Sequence, residues 1–277
     1  MATLPPRSDA DVEAFTGIFK NPDTAANYIC HLRWACIHLR LSSSWDTSAL
    51  KATMKGAKRR RMRLHGGPAG AKKRLYRIAM QSVVAAADSA GFEEVAVQVL
   101  VAWQFLLRVQ SECTPLEVGR PQDAAALAQS RHSGIWVDSA SKACLRLRMR
   151  KNRPQGSLLK RPCTCHAGGQ QLCLPHRLAS FLRGRRQGSK VWTLSSTDFL
   201  TAVRKVLGAV GMENPEQYTL KMFRAGHAST LAEEGKSVGH ILQAGEWKSA
   251  AFLSYIDEDA VDAAQIVEHV LSESDAE

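Results

Sequence analysis

The segment from Val95 to Leu107, VAVQVLVAWQFLL, constrains this chain more than any other. Gln98 and Gln104 are its only polar residues, so it offers no face that water would favour. It is also too short for a bilayer, which takes about 20 apolar residues. It therefore predicts a helix buried on all sides, at the centre of a domain large enough to surround it. The chain has 277 residues, of which 45% are hydrophobic and 23% charged. That is enough for two domains with cores of their own, and it excludes disorder as the overall state.

From Asp9 to about Ala49 the pattern is helical, with Tyr28, Leu32, Cys36 and Leu39 recurring at helical spacing behind the start signal NPDTAA, where Asp23 is the expected cap. Lys51 to Arg74 is a basic run broken by Gly66, Gly67, Pro68 and Gly70, and it reads as a linker or exposed loop. Within it, Lys58 to Arg63 suits either nuclear import or contact with a phosphate backbone. The expected organisation is a helical N-terminal domain over 9–65, a basic Gly/Pro linker over 66–74 and a larger domain over 75–277.

In the larger domain, Leu75 to Ala90 and Glu93 to Arg108 read as helices, and a short helix follows Pro121. The period then changes. CLRLRMR, Cys144 to Arg150, alternates strictly, with Leu145, Leu147 and Met149 on one side and Arg146, Arg148 and Arg150 on the other. It predicts a strand with a wholly basic outer face, in a small antiparallel sheet with Ile135 to Val137 and, after the turn KNRPQGS, Ser157 to Lys160. From His176 on the pattern is helical again, ending in a helix near Ala260 to Leu271 and an acidic tail. The fold class expected is mainly α with a small antiparallel β-sheet.

The formal net charge is +11, which favours a polyanionic partner. Nucleic acid is the commonest, with anionic membrane surface as its competitor. The start, MATLPPRSDAD, has no apolar core of a secretory signal. An intracellular protein, in nucleus or nucleoid and not secreted, is expected, and its seven cysteines are expected to be reduced.

KMFRAGHAST, Lys221 to Thr230, places an arginine within an apolar helix. At about 100° per residue, Arg224 faces inward between Leu220, Ala228 and Leu231, while Met222, Gly226, Ser229 and Glu233 point the other way. A guanidinium keeps its proton, so a buried Arg224 needs an anion, either a carboxylate such as Glu112 or a ligand phosphate. Lys221 and His227 share its face, and three cations on one inward face favour the phosphate. Arg108, at the end of the most apolar helix, is the natural second grip. HILQAGEWKSAAFLSYIDED adds a short helix stopped by Gly245, then Trp247 and Tyr255. Tyrosine, with an ordinary pKa of about 10, becomes a nucleophile only where cations stabilise its phenolate.

In this order, Arg108 with downstream Glu112, Lys151 at a basic hairpin, the Arg224 helix, a G-x-W turn and a late Tyr255 resemble the tyrosine recombinase or phage integrase family. The resemblance runs from Leu75 to about Val270, with the N-terminal helical unit in the place of that family's core-binding domain and the rest as its helix-rich catalytic domain. It implies a clamp around duplex DNA. Tyr255 would attack the scissile phosphate to give a 3′-phosphotyrosyl intermediate, Arg108 and Arg224 would hold its oxygens, Trp247 would donate to it and Lys151 would protonate the leaving oxygen. No cofactor for catalysis is implied, and strand exchange would use a homo-oligomer, a tetramer on DNA. The chain departs from the family at three points. Lys221 stands where histidine is usual, so that His227 is out of register; the gap from Trp247 to Tyr255 is one residue shorter; and Glu112 is one residue farther from Arg108.

RPCTCHAGGQQLCLPH supplies Cys163, Cys165, Cys173 and His176, with His166 as a spare ligand. Thiolate and imidazole are the ligands of a closed tetrahedral zinc site, so a structural zinc is expected there. Three alternatives to recombination share these features. A catalytically impaired DNA-binding protein of the same fold would follow from Lys221 and the shortened gap. A zinc-stabilised RNA-binding module would follow from the charge and the cysteines. A type IB topoisomerase would share the nucleophile and cations.

Overall fold

The computed structural model describes residues 8–19, 22–41, 48–65, 73–120, 132–139, 141–150, 153–165, 169–248, 252–253 and 255–256. The chain divides into two compact units, Met1–Lys72 and Lys73–Glu277. Among the described residues, no helix is long and apolar enough to cross a membrane. Lys151 and His166, the helix expected after Pro121 and the one expected near Ala260 to Leu271 lie outside the described residues.

The first unit contains α1 (Asp9–Gly17), α2 (Pro22–His38) and α3 (Ser48–His65). Ser8 starts α1 with a reciprocal cap: its hydroxyl accepts from the Asp11 amide and its amide donates to the Asp11 carboxylate. Val12, Ile29, Cys36 and Leu50 form a small core, with Leu32 and Met54 packed against it. Tyr28 and Leu39, expected on that buried face, are exposed; the face runs instead through Ala25, Ile29, Leu32 and Cys36. α2 starts at Pro22, so Asp23 lies inside its first turn rather than before it. The basic run is not a loop over its first part. Lys51 to His65 belongs to α3, because lysine, arginine, methionine and leucine are good helix formers and one apolar edge, Leu50 and Met54, is enough to seat them. Lys51, Lys55 and Arg59 leave this helix as an exposed stripe at four-residue spacing.

The second unit holds α4 (Arg77–Ser89), α5 (Glu93–Gln104), β1 (Glu117–Val118), β2 (Gly134–Val137), β3 (Ala143–Leu147), β4 (Ser157–Arg161), α6 (Leu174–Leu182), α7 (Ser196–Ala209), α8 (Met222–Glu233) and α9 (Val238–Gly245). As its composition requires, α5 is buried from Val95 to Trp103 and is packed by α4, α6 and α8. Glu94, in its first turn, accepts from the Thr193 and Leu194 amides at 2.7 and 2.9 Å. The described residues are mainly helical, with one four-stranded sheet in the order β1-β2-β3-β4. That sheet is mixed rather than antiparallel: β2, β3 and β4 pair antiparallel, but β1 joins β2 in parallel.

The expected basic outer face of β3 is not formed. The strand ends at Leu147, and beyond it alternation no longer decides which side a residue faces. Arg146 is buried and donates to the His132 carbonyl, Arg150 is buried, and Met149, expected inside, is exposed. Gly156 (φ 84°) makes the return to β4, since a Cβ there would lie 2.6 Å from the Leu147 carbonyl oxygen.

Candidate functional site

The helix α8 is buried on every side from Met222 to Ala232. This corrects the two-faced expectation: Met222, Gly226 and Ser229 are inside as well, because a second segment packs on that side. The chain at Leu75 crosses so close that a Cβ on Gly226 would stand 2.0 Å from the Leu75 carbonyl oxygen. Glycine is therefore required by approach rather than by its backbone angle. The Leu75 amide donates to the Met222 carbonyl at 3.2 Å, and the Arg77 amide to the Thr230 hydroxyl at 3.2 Å. α8 is a fixed platform for whatever it carries.

Arg224 is carried toward Glu112. After α5 the chain turns through Leu106, in the left-handed region (φ 50°), and Val109–Cys113 forms a π turn with Arg108 just before it. Arg108 thus lies four residues beyond the end of α5, not in its last turn as expected. The turn folds Glu112 back on Arg108. The Arg108 amide donates to Glu112 Oε2 at 2.9 Å and Arg108 Nη1 to Oε1 at 2.8 Å. Arg150, whose side chain is only 2% exposed, donates from Nη2 to Glu112 Oε2 at 3.0 Å and from Nε to Oε1 at 3.2 Å. Its Nη1 lies 2.7 Å from Glu246 Oε2, and Nη2 also meets the Leu106 carbonyl at 3.2 Å. Arg224 comes third to the same carboxylate, with Nη1 3.8 Å from Glu112 Oε2.

The electrostatics follow from that crowding. Burial by itself would push the Glu112 carboxyl up, but the Arg150 guanidinium, the Arg108 amide and the Arg224 charge outweigh it and hold it below the ordinary value. Arg150 is likewise resisted by burial and supported by Glu112 and Glu246, and its pKa rises. Arg224 gets least. Burial and the Arg150 charge bring it down to about 10 despite Glu112, so it stays charged at neutral pH. Three buried or half-buried guanidiniums share two carboxylates, Glu112 and Glu246.

Above Arg224 lie two rings. Its guanidinium carbon is 4.4 Å from the Trp247 ring centre and 5.5 Å from that of Tyr255, both within cation–π range. α9 ends at Gly245, and the left-handed position that turns the chain is taken by Glu246 (φ 51°) rather than by Gly245 as expected. Gly245 serves another purpose: the Trp247 ring lies over it, and a Cβ there would fall 1.8 Å from that ring. The Gly245 carbonyl accepts from Arg224 Nη2 at 2.8 Å. Among the described residues, Arg224 Nε and Nη1 and Trp247 Nε1 are buried without a hydrogen-bond partner. Such donors normally have one.

The structure thus brings together Arg108, Arg224, Trp247 and Tyr255. Lys221 is exposed, in the position before the first residue of α8, and is not on the inward face. His227 is on that helix but faces elsewhere. It stacks on Trp103 with ring centres 3.9 Å apart, and its Nδ1 lies 2.7 Å from the Trp103 carbonyl. Burial pushes its pKa down to about 3, so at neutral pH it is uncharged, and the expected trio of cations is reduced to Arg224. Three further residues take part: Arg150, which strand alternation puts on a solvent face and which shares the turn of Lys151 with Arg153; Glu246, in the G-x-W turn; and Arg74, at the end of the basic linker. Arg74 donates to the Tyr255 carbonyl at 3.4 Å and the Ile256 carbonyl at 2.8 Å, and the Ser229 hydroxyl joins at the Tyr255 carbonyl. These bonds fix the backbone that bears Tyr255.

A second cluster lies between β4 and α6. The ligand atoms of Cys163, Cys165, Cys173 and His176 all fall within 4.8 Å of one another, an arrangement that can hold a metal ion. The chain matches no protein-family model and no curated protein.

Proposed function

We propose that the arginine cluster binds a phosphate of the DNA backbone and that Tyr255 attacks it, so that the protein cleaves and rejoins DNA strands as a site-specific recombinase of the tyrosine type. The observation that carries this reading is Arg224: a buried guanidinium whose nearest carboxylate is already bonded to two other arginines, lying beneath Trp247 and Tyr255 with donors to spare. A phosphate would supply the missing negative charge and accept from Arg224, Arg108 and the Trp247 indole. In the reaction the Tyr255 oxygen bonds to phosphorus and gives its proton to water while the bond to the 5′-oxygen breaks. The departing oxygen takes a proton, for which the resemblance nominates Lys151. The phosphotyrosyl bond conserves the energy of the broken one, so rejoining needs no nucleotide. The π turn favours the family reading, because a turn closed five residues on absorbs the one residue by which Glu112 is farther from Arg108.

The basic stripe of α3 is read as a contact to the DNA backbone, and the acting species as a homotetramer on duplex DNA, in nucleus or nucleoid. The Cys/His cluster enters this reading as a structural zinc site without part in the chemistry. Since the Trp247 and Tyr255 rings cover Arg224, entry of a phosphate requires the Tyr255 segment to shift. The test is incubation with a nicked suicide DNA substrate. A covalent protein–DNA adduct is expected from the wild type and none from Tyr255→Phe. No adduct from the wild type, or as much from the variant, overturns the catalytic reading.

One observation favours a second reading, a DNA-binding protein of the same fold without the chemistry. Lys221, in the register of the family's histidine, is exposed at the start of α8 rather than buried with Arg224. That reading predicts salt-sensitive DNA binding with no adduct under any condition.

A further inference from the structure

The chain leaves β4 at Arg161, and after Pro162 it presents Cys163 and Cys165. Cys173 is the residue before α6, and His176 lies in its first turn. The four side chains therefore come from the two ends of one excursion and meet at its neck. Cys163 and Cys173 sulfurs are 3.6 Å apart. His176 Nδ1 lies 2.9 Å from the Cys165 sulfur, 3.3 Å from that of Cys173 and 3.8 Å from that of Cys163. A tetrahedron with metal–sulfur arms of about 2.3 Å has edges of about 3.8 Å, so the separations are close to those of ligands around a single ion. The Thr164 amide donates to the Cys173 sulfur at 3.4 Å, the kind of outer bond that orients a metal thiolate.

We propose that Cys163, Cys165, Cys173 and His176, through Nδ1, hold one zinc ion in a closed tetrahedral site that ties the end of β4 to the first turn of α6. Three thiolates and an imidazole select zinc over calcium or magnesium, which take oxygen ligands. All four positions are filled by the chain, which leaves no place for a substrate or an activated water, so the ion is structural. Its grip extends along β4. Arg161, two residues before Cys163, donates from Nε to the Gln104 carbonyl at 2.8 Å and lies 5.0 Å over the Phe105 ring. Gln104 and Phe105 end α5, and the next residue, Leu106, supplies the carbonyl that receives Arg150. The zinc thus braces the exit of α5 from which the arginine cluster is built. The site stands on its own ligands and does not depend on the recombinase reading.

The test is metal analysis of the full chain purified without a histidine tag and loaded with zinc, followed by cobalt replacement. One zinc per chain is expected, retained by the control Cys30→Ser, whose cysteine is exposed in the other unit, and lost in Cys173→Ser and in His176→Ala. In the wild type, which needs no variant to fold, cobalt should give the intense visible bands of a tetrahedral ion and a thiolate-to-metal charge-transfer band. Weak octahedral bands, absence of stoichiometric zinc, or full zinc in both variants would overturn the site. Stripping the zinc with a chelator should speed amide hydrogen exchange around 161–177 and at the exit of α5. Faster exchange confined to 163–176 would overturn the bracing role while the metal result stood.

Discussion

Arg224 and His227 lie within one turn of α8 and are both buried, yet one keeps its charge and the other has lost it. The difference lies in what the neighbouring elements offer. On the Arg224 side the π turn brings a carboxylate, and the residue is an arginine, which has no neutral form to retreat to at ordinary pH. On the His227 side the end of α5 brings a carbonyl and an indole face, which a neutral imidazole satisfies by donating a hydrogen bond and stacking. The comparison teaches that burial does not fix the state of a basic side chain. A group that can discard its proton adapts to a carbonyl, and one that cannot makes the protein supply an anion, here a carboxylate spread thin over three guanidiniums.

The largest break in this comparison is expected from Glu112→Gln. It leaves Arg108, Arg150 and Arg224 without their shared charge and should lower the unfolding free energy by about 3–5 kcal/mol, measured in urea at pH 7. Adding Arg224→Met should return part of that loss. A cost below about 1 kcal/mol for the single variant would mean that another counter-ion serves the cluster. Next comes Gly226→Ala, which drives a methyl group into the Leu75 carbonyl, a backbone atom with little room to yield. A loss of about 3 kcal/mol is expected, together with a change in near-ultraviolet circular dichroism as Trp103 parts from His227. An unchanged spectrum and stability would show that the Leu75 segment is not clamped on α8.

How much of this was legible depended on whether the controlling contact was local. The burial of α5 followed from its composition alone, and the Cys/His cluster followed from spacing, because its ligands flank one short excursion of chain. The helical state of α3 is hidden by the Gly/Pro breakers that begin at Gly66, although the residues before them favour helix. The burial of Arg150 is hidden because alternation holds only while a strand lasts, and β3 stops three residues earlier. Arg224 facing inward was legible from helical geometry, but the company it keeps was not. Lys221 falls on the helix start, where its side chain escapes to solvent, and His227 meets an α5 carbonyl that no local pattern announces. Arg74, reaching Tyr255 from 181 positions away, left no trace in the sequence at all.

The His227 side is tested by pH. Unfolded, this imidazole takes up a proton at its ordinary 6.5; folded, it refuses one until about pH 3. Its contribution to stability is therefore complete above pH 6.5 and is lost as the pH falls toward 3, at about 1.4 kcal/mol per pH unit between those values. His227→Phe keeps a flat ring against Trp103 and has no proton to bind. It should be less stable at pH 7, where the Trp103 carbonyl loses its donor, but its stability should fall less steeply between pH 6 and pH 4. Parallel slopes for the two proteins would mean that other groups govern acid unfolding.

The smallest effect is the most discriminating about charge. Arg77 and Glu234 meet at 2.7 Å, the same distance as Arg150 and Glu246, but their side chains are 46% and 32% exposed against 2% and 10%. Distance is thus held constant while solvent access changes. A double-mutant cycle of Arg77→Gln and Glu234→Gln should give a coupling of at most about 1 kcal/mol, because water already solvates both groups. It should shrink in 1 M salt, where the screening length falls to about 3 Å. The cycle of Arg150→Gln and Glu246→Gln should give a larger coupling that persists in salt, since truncating one buried partner strands the other. Equal couplings with equal salt dependence would mean that burial is not what separates the arginine cluster from an ordinary surface pair. The excess of positive charge at Arg224 would then be no argument for an anionic ligand.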